Sequence, residues 1–173
     1  MSNIADYLQT EPTFLHATVG YLVRGDVILL GERKRVSLGL GQSLIAGIGG
    51  KLEPGETDEA ALQRECWEEI GVRIQAYRRM GTVTYLNPHQ PKWNQIVSIY
   101  LIDAWNGEPH ETDDIRPQWF QQTALPADRM WPDNLLTIPR VLAGHSITGT
   151  FLYQADGSIA EYELRQDAQS KVI

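Results

Sequence analysis

The stretch "GKLEPGETDEAALQRECWEEIGV", residues 50–72, contains the clearest helix signal in the chain. We predict a helix from Thr57 to Ile70, with Thr57 as the N-cap and the two acids that follow it at the positive end of the helix dipole. Gly71 follows as the expected C′ residue. An apolar stripe along this helix is expected to bury against a sheet, and it consists of Leu62, Cys66 and Ile70.

Three carboxylates, Glu65, Glu68 and Glu69, share one face of this helix. Because each helical residue advances by about 100°, Glu69 lies about 40° to one side of Glu65 and Glu68 about 60° to the other. Arg64 precedes Glu68 by four residues, where the two can pair. A solvated acidic face is the usual explanation of a charge run. These acids instead flank the buried stripe and repel one another unless a cation lies among them, and hard oxygen ligands suit Mg²⁺ or Mn²⁺. The residues alone leave both interpretations open.

The same stretch resembles the Nudix box, Gly-x5-Glu-x7-Arg-Glu-apolar-x-Glu-Glu-x-Gly-apolar. Its constrained positions are filled in register by Gly50, Glu56, Arg64, Glu65, Cys66, Glu68, Glu69, Gly71 and Val72. Cys66 is a small apolar substitute for the usual aliphatic residue. The resemblance implies a Nudix hydrolase, which cleaves a nucleoside diphosphate linked to another group while metal ions bridge the phosphate oxygens.

The resemblance also implies roles for individual residues. Mg²⁺, or alternatively Mn²⁺, would be held by the carboxylates of Glu65, Glu68 and Glu69. Glu56 and Arg64 would fix the geometry between loop and helix through mutual pairing. The backbone of Gly49 and Gly50 would lie close to the metal ion or the phosphates, and the ammonium group of Lys51 would face phosphate. Asp114 stands where the family has a Glu that serves as a further metal ligand or as the base.

Outward from the helix, the chain shows mostly short strand signals. Two strands, "FLHATVGYLV" and "DVILLGER", are joined by a turn at residues 24–26, and a loop rich in Gly and Ser follows at 33–43. After the helix come the strand-like runs "GTVTYL", "NQIVSIYLIDAW" and "IRPQWFQ". A second helix is predicted over 133–145, with Pro139 as a weak point, and a hairpin closes the chain across 155–157.

This pattern predicts a mixed α/β (α+β) domain without the regular alternation of a doubly wound sheet. Together with the resemblance, it implies a Nudix fold, in which a mixed β-sheet is sandwiched between helices (α/β/α). We expect one domain over residues 1–173, with residues 1–13 as a loosely held extension.

Composition restricts the partners and the compartment. The net charge of −7 argues against a general nucleic-acid surface, which would be basic. No signal peptide or membrane span is predicted. The single cysteine, Cys66, cannot form an internal disulfide, so a reducing, cytoplasmic location is expected. The expected partner is a small nucleotide, with neither a nucleic-acid polymer nor a membrane, and the sequence carries no signal for an oligomeric state.

Two further stretches, "DDIRPQWFQ" (113–121) and "LPADRMWPDN" (125–134), resemble the oxidised purine nucleoside triphosphatases, the MutT-homologue branch known for 8-oxo-dGTP hydrolysis. The end of the chain is similar to that branch's closing hairpin. By resemblance, Trp131 would stack on the purine and Asp133 would bond its edge, although Asp133 or Asn134 can also cap the following helix. The implied substrate-binding set is Thr18, Arg33, Ala46, Ile48, Gly49, Gly50, Lys51, Trp131, Pro132, Asp133 and Asn134.

Three departures from the branch concern the base. Ala46 stands where the branch has an Asn that contacts the oxidised base, and Ala46 cannot make that hydrogen bond. Asn134 replaces a second pocket Asp, so an acceptor-only group becomes a donor and acceptor. The loop between Gly31 and Ala46 is also longer than in the branch, by about three residues. These departures favour a purine-type triphosphate over 8-oxo-dGTP in particular.

The sequence thus predicts Mg²⁺-dependent hydrolysis of a modified, oxidised-purine type of nucleoside triphosphate to the monophosphate and pyrophosphate, which would sanitise the nucleotide pool. The alternative is a Nudix pyrophosphatase for another substrate, such as ADP-ribose or a dinucleotide. A non-catalytic Nudix-like binding module is a third interpretation. It predicts the loss of box carboxylates, and those carboxylates are all present.

Overall fold

The computed structural model describes residues 3–35 and 43–167, and within them three α-helices and eight β-strands. In chain order they are α1 (Ile4–Leu8), β1 (Leu15–Arg24), β2 (Val27–Arg33), β3 (Ile45–Ala46), α2 (Asp58–Ile70), β4 (Arg73–Leu86), β5 (Gln95–Asn106), β6 (Ile115–Gln121), α3 (Asn134–Leu142), β7 (Ile147–Tyr153) and β8 (Ile159–Gln166). Most of the predicted Gly- and Ser-rich loop, residues 36–42, lies outside the described residues.

The strands form one mixed sheet in the order β3-β2-β1-β5-β4-β7-β8, and β6 also pairs with β2. β1 runs parallel to β5, and β4 runs parallel to β7, whereas the neighbouring strands in the hairpins are antiparallel. The predicted turn at residues 24–26 closes the first of these hairpins, with Arg24 opposite Val27. The mixed sheet predicted from the sequence is therefore confirmed.

Helices cover both faces of this sheet because successive residues of a strand point to opposite sides. On one face, the predicted stripe of α2 is fully buried against β1, β2 and β5, where it meets Leu22, Leu29 and Tyr100. On the other face, α3 contributes Ile138 and Val141 to a second core cluster that includes Tyr21 and Phe151. The α/β/α arrangement is thus confirmed.

The predicted ends of α2 are confirmed as well. The hydroxyl of Thr57 accepts a hydrogen bond from the Ala60 amide at 3.2 Å, and Gly71 ends the helix in the left-handed conformation at φ 71°. Pro139 lies inside α3 without ending it. No helix within the described ranges is long and apolar enough to span a bilayer.

Two elements differ from the sequence prediction. Residues 4–8 form a short helix that is anchored to the fold, since Ile4 and Tyr7 are buried and the Ile4 amide donates to Glu161 at 2.8 Å. The predicted loose extension is therefore wrong for this segment. Strand β4 starts at Arg73, eight positions before the predicted start at Gly81. Its first half pairs with β5 alone, and β7 joins only from Gly81 onward, so charged side chains are tolerated on the open edge.

Candidate active site

Arg64 lies among the acidic side chains of α2 and the preceding loop. Its Nε donates to Glu56 at 2.8 Å, and its Nη1 donates to Glu65 at 2.7 Å and to Glu68 at 3.1 Å. A further bond from Nη2 reaches the backbone carbonyl of Lys51 at 3.0 Å. The hydrogen bonds that Glu56 accepts from Arg64, followed by the one it accepts from the Glu53 amide, lower the pKa of Glu56 to about 2. One guanidinium therefore ties the loop to the helix and neutralises part of the repulsion among the carboxylates.

Glu69 is the most enclosed of the three helix carboxylates, with 8% of its surface exposed. One carboxylate oxygen accepts a hydrogen bond from the Gly49 amide at 3.0 Å. The other lies 3.4 Å from the guanidinium of Arg33, which also donates to the Gly49 carbonyl at 3.2 Å. Burial raises the pKa of Glu69 to about 7, although the nearby Arg33 acts in the opposite direction. Burial of a carboxylate at this position creates a demand for positive charge.

The glycine pair brings the backbone close to these carboxylates. At Gly49, φ is 155° and a Cβ would lie 2.1 Å from the Thr18 carbonyl oxygen, so no other residue fits without a backbone shift. At Gly50, a Cβ would lie 2.5 Å from a carboxylate oxygen of Glu65. The backbone of this pair therefore lies close to the Glu65 carboxylate, and its contact with metal or phosphate stays a prediction.

The carboxylates of α2 and the glycine pair beside them form one corner of the site, which we call the carboxylate corner. Its ligand atoms suit a hard divalent cation. The carboxylates of Glu65, Glu68 and Glu69 and the carbonyl of Gly49 supply only oxygen ligands. Within residues 3–35 and 43–167, no three acidic, His or Cys side chains converge as a ready-made metal cluster. Instead, the cations of Arg64 and Arg33 contact the carboxylates that would bind the metal. The residues therefore fit a divalent metal ion in type.

Asp114 lies at the edge of this corner. Its side chain is 65% exposed and pairs with Arg35 at 3.4 Å, while its charge contributes to the raised pKa of Glu69. The Asp114 side chain is thus close enough to act on Glu69 electrostatically, but it does not line the adjacent cavity.

A cavity of about 380 Å³ opens beside the glycine pair. Most of the predicted substrate-binding residues line it, and these are Thr18, Arg33, Ala46, Gly49, Gly50, Lys51, Trp131, Asp133 and Asn134. Two predicted residues do not. Ile48 is fully buried on the α2 face of the sheet, because its position in the backbone bridge to Gly20 directs the side chain away from the cavity. Pro132 lies between two lining residues but is not part of the wall.

The end of the cavity remote from α2 is built around Asp133, which is 2% exposed. The hydroxyl of Tyr85 donates to one carboxylate oxygen at 2.7 Å, and the hydroxyl of Tyr153 donates to the other. Burial raises the pKa of Asp133, and the two tyrosine hydrogen bonds partly oppose this change. Asp133 occupies the N-cap position of α3, but its side chain makes no capping hydrogen bond. The capping function considered from the sequence is therefore not the function of this carboxylate.

Two other polar residues of the cavity wall are Asn134 and Thr18. The Asn134 side-chain oxygen accepts from the hydroxyl of Tyr21 at 3.4 Å, which leaves its amide nitrogen as the donor not used by Tyr21. The Thr18 hydroxyl is buried and has no hydrogen-bond partner. A buried hydroxyl without a partner in a cavity wall is a feature of a site that a ligand completes.

Three tyrosines that were not predicted from the sequence, Tyr21, Tyr85 and Tyr153, also line the cavity, as does Trp93. A buried Asp needs hydrogen-bond donors, and the hydroxyls of inward-facing tyrosines can supply them. Which strand positions supply them depends on how β1, β4 and β7 are placed side by side in the sheet.

The chain is similar to known proteins in sequence and in fold. The family model of the NUDIX domain matches residues 14–141. The chain is 34% identical over 147 residues to an oxidized purine nucleoside triphosphate hydrolase from Danio rerio, covering 85% of this chain and 92% of that protein. It is also 34% identical over 88 residues to an 8-oxo-dGTP diphosphatase from Escherichia coli, covering 50% of this chain and 64% of that protein. A crystal structure of a MutT protein from Bacillus halodurans has the same fold, with a TM-score of 0.75 at 21% identity over 87% of this chain and 97% of that one.

Proposed function

Because the chain belongs to the NUDIX family, we propose that it hydrolyses a modified purine nucleoside triphosphate to the monophosphate and pyrophosphate, with Mg²⁺ as the metal ion. Mn²⁺, which also prefers oxygen ligands, is the alternative metal. The observation that carries the proposal is the cavity itself, which opens at the glycine pair beside the carboxylates of α2 and extends to an aromatic end suited to a planar base. The names of the relatives from Danio rerio and Escherichia coli support the same class of substrate.

In the proposed complex, the triphosphate lies at the glycine pair and the base at Trp131. A bound divalent cation neutralises phosphate charge and lowers the pKa of water. Glu65, Glu68 and Glu69 hold the metal ion, and Arg64 keeps the carboxylates oriented. Arg33 leaves Glu69 to contact phosphate oxygens, together with Lys51, because both cations line the cavity at this end.

The remote end selects and positions the base. Trp131 offers an apolar face at an edge-on angle to Tyr153, with ring centroids 5.6 Å apart. Asp133 is held in one orientation by the two tyrosine hydroxyls, so its position does not have to be established when substrate binds. Ala46 leaves space without a hydrogen bond, and Asn134 presents an amide donor to the base. A site of this kind accepts purines with an acceptor at the contacted edge, and 8-oxoguanine is one member of the class.

Metal binding and hydrolysis are tested by replacing single carboxylates. Glu68→Gln and Glu69→Gln should each abolish turnover with Mg²⁺ while the circular dichroism spectrum stays unchanged. Glu163→Gln, which removes an exposed carboxylate from β8, is the matched control and should retain full activity. Binding of Mn²⁺, followed by electron paramagnetic resonance, should weaken in the first two variants alone. Near-normal turnover in both helix variants would contradict the proposed metal site.

The substrate class is tested with a panel of nucleotides assayed for pyrophosphate release. The panel contains 8-oxo-dGTP, 2-oxo-dATP, O6-methyl-dGTP, dGTP and dATP, with ADP-ribose and a dinucleoside polyphosphate assayed for monophosphate release. We expect the modified purine triphosphates to have the highest kcat/KM. A higher kcat/KM for ADP-ribose than for every triphosphate would instead favour the alternative Nudix activity. The single-domain organisation and the cytoplasmic location remain predictions from the sequence.

A further inference from the structure

A second cavity, of about 560 Å³, adjoins the nucleotide cavity at its base end. We call it the distal cavity and define it by its two walls, the β4–β5 connection (residues 87–93) and the β7–β8 turn (residues 154–157). Four residues line both cavities, and they are Asn87, Trp93, Trp131 and Tyr153. The two spaces are therefore neighbours separated by aromatic side chains at the place where the proposed base binds.

The position of the distal cavity excludes the phosphates as its occupant. The glycine pair and the cations Arg33 and Lys51 lie against β1 and β2, whereas the walls of the distal cavity come from β4, β5, β7 and β8, farther along the sheet. None of the residues shared between the cavities belongs to the phosphate end. A nucleotide with its phosphates at Gly49 and Gly50 therefore reaches the distal cavity only through its base.

Charge leads to the same conclusion. Among the described residues, the lining of the distal cavity includes no Lys or Arg, and its fixed charge is the carboxylate of Asp156. That carboxylate accepts hydrogen bonds from the amide and hydroxyl of Ser158 at 2.9 Å and 2.6 Å. The occupant favoured by these walls is uncharged or cationic, and two Trp side chains at the entrance favour an apolar or aromatic group.

Both walls are held in place by hydrogen bonds. The side chain of Asn94, which is 1% exposed, accepts from the Asn87 amide at 2.8 Å and donates to Tyr7 at 3.0 Å, so α1 supports the β4–β5 connection. Across the cavity, the Gln154 amide donates to the Ser158 carbonyl at 2.8 Å and closes the β7–β8 turn. The cavity is thus part of the folded framework.

From this placement we propose that the distal cavity is a subsite for a bulky, uncharged or cationic substituent on the nucleotide base. This proposal rests on the proposed function, because it requires the base at Trp131 and the phosphates at the glycine pair. It extends the substrate class from small oxidative changes to purines that carry a large exocyclic group.

The test compares plain and substituted nucleotides in pairs, dATP with N6-benzyl-dATP and dGTP with N2-benzyl-dGTP. In the unmodified protein, at least one benzylated nucleotide should have a kcat/KM within about tenfold of that of its plain partner or above it. Ala155→Trp places a large side chain in the distal cavity without touching the nucleotide cavity, since Ala155 lines only the former. This variant should lower the kcat/KM for the benzylated nucleotide at least about tenfold, equivalent to about 1.4 kcal/mol, and leave that for the plain nucleotide unchanged.

Ala160→Trp is the control, because Ala160 is exposed on β8 of the same hairpin and lines neither cavity. It should change neither kcat/KM. Equal losses for plain and benzylated nucleotides in Ala155→Trp, or rejection of both benzylated nucleotides by the unmodified protein, would overturn the subsite. Binding of N6-benzyl-dAMP and dAMP, measured by calorimetry in the same variants, separates the two proposals. If no triphosphate is hydrolysed, the proposed function fails, while selective loss of N6-benzyl-dAMP binding in Ala155→Trp still supports the subsite.

Discussion

Glu69→Gln should abolish activity and at the same time stabilise the metal-free protein. The carboxylate is nearly enclosed, and burial raises its pKa from the ordinary 4.5 to about 7. The difference between these values corresponds to roughly 3 kcal/mol of preference for the protonated form. Gln is neutral, and its side-chain oxygen can still accept the hydrogen bond from Gly49. The loss of the pair with Arg33 offsets part of this gain, so we expect a net increase in the free energy of unfolding of about 1–3 kcal/mol at about pH 8.

The gain should depend on pH in a defined direction. Between the unfolded and folded pKa values the folded state binds the extra proton, so Glu69 makes the native protein less stable as pH rises from about 4 to about 7. Above about pH 7 the folded state carries the full cost of the buried charge. The stability difference between the variant and the native protein should therefore be largest at about pH 8 and become small toward pH 4.

The assay is urea unfolding followed by tryptophan fluorescence, with EDTA present, at several pH values between about 4 and 8. Glu68→Gln is the matched control, because it removes the same charge from the same helix where the side chain is 56% exposed. It should change the unfolding free energy by less than about 1 kcal/mol. If the Glu69→Gln variant is less stable than the native protein at about pH 8, or if its gain in unfolding free energy is the same at every pH, then burial does not raise the pKa of Glu69 as described.

Three further predictions follow from single contacts. Glu56→Gln should reduce the unfolding free energy by about 1–3 kcal/mol at neutral pH, because Arg64 loses one of its charged partners. In the native protein this contribution should persist above about pH 4.5 and disappear as pH falls toward 2, and urea titrations should show that the variant lacks this part of the acid dependence. Trp131→Ala should raise KM for purine triphosphates by about tenfold, through loss of base stacking, with a smaller change in kcat in steady-state assays. Tyr153→Phe should reduce the unfolding free energy by about 1–3 kcal/mol, since Asp133 keeps its burial and loses a donor, whereas the exposed Tyr162→Phe should have little effect.

The helix α2 and its carboxylate face were predictable because their signals are local. The N-cap at Thr57, the left-handed Gly71 and the stripe of Leu62, Cys66 and Ile70 depend on residue types within one turn of each other or at helical spacing. For the same reason the pairing of Arg64 with Glu68 was predictable, although its stronger contact with Glu56 required the resemblance to the family.

The base end of the cavity was only partly predictable. Trp131, Asp133 and Asn134 are adjacent in the chain and could be assigned together. Tyr85 and Tyr153 come from β4 and β7, which meet only in the folded sheet, so local sequence carries no signal of their shared contact with Asp133. Ile48 was assigned to the substrate through the resemblance, but its side chain is buried in the core cluster on the α2 face of the sheet.

The segments at the margins of the sheet were the least predictable. The first half of β4 carries charged residues that an open edge accepts, which obscures the usual pattern of a buried strand. Residues 4–8 form too short a helix to be stable alone, and its order depends on burial of Ile4 and Tyr7 against β4 and β7.

Product analysis tests whether the protein cleaves a triphosphate in a metal-dependent reaction at a cavity built for a purine. The modified purine triphosphate with the highest kcat/KM is incubated with the protein and Mg²⁺, and the products are identified by phosphorus NMR. We expect the nucleoside monophosphate and pyrophosphate in equal amounts, and no turnover when EDTA replaces Mg²⁺. Release of the nucleoside diphosphate with orthophosphate, or undiminished turnover in EDTA, would contradict it.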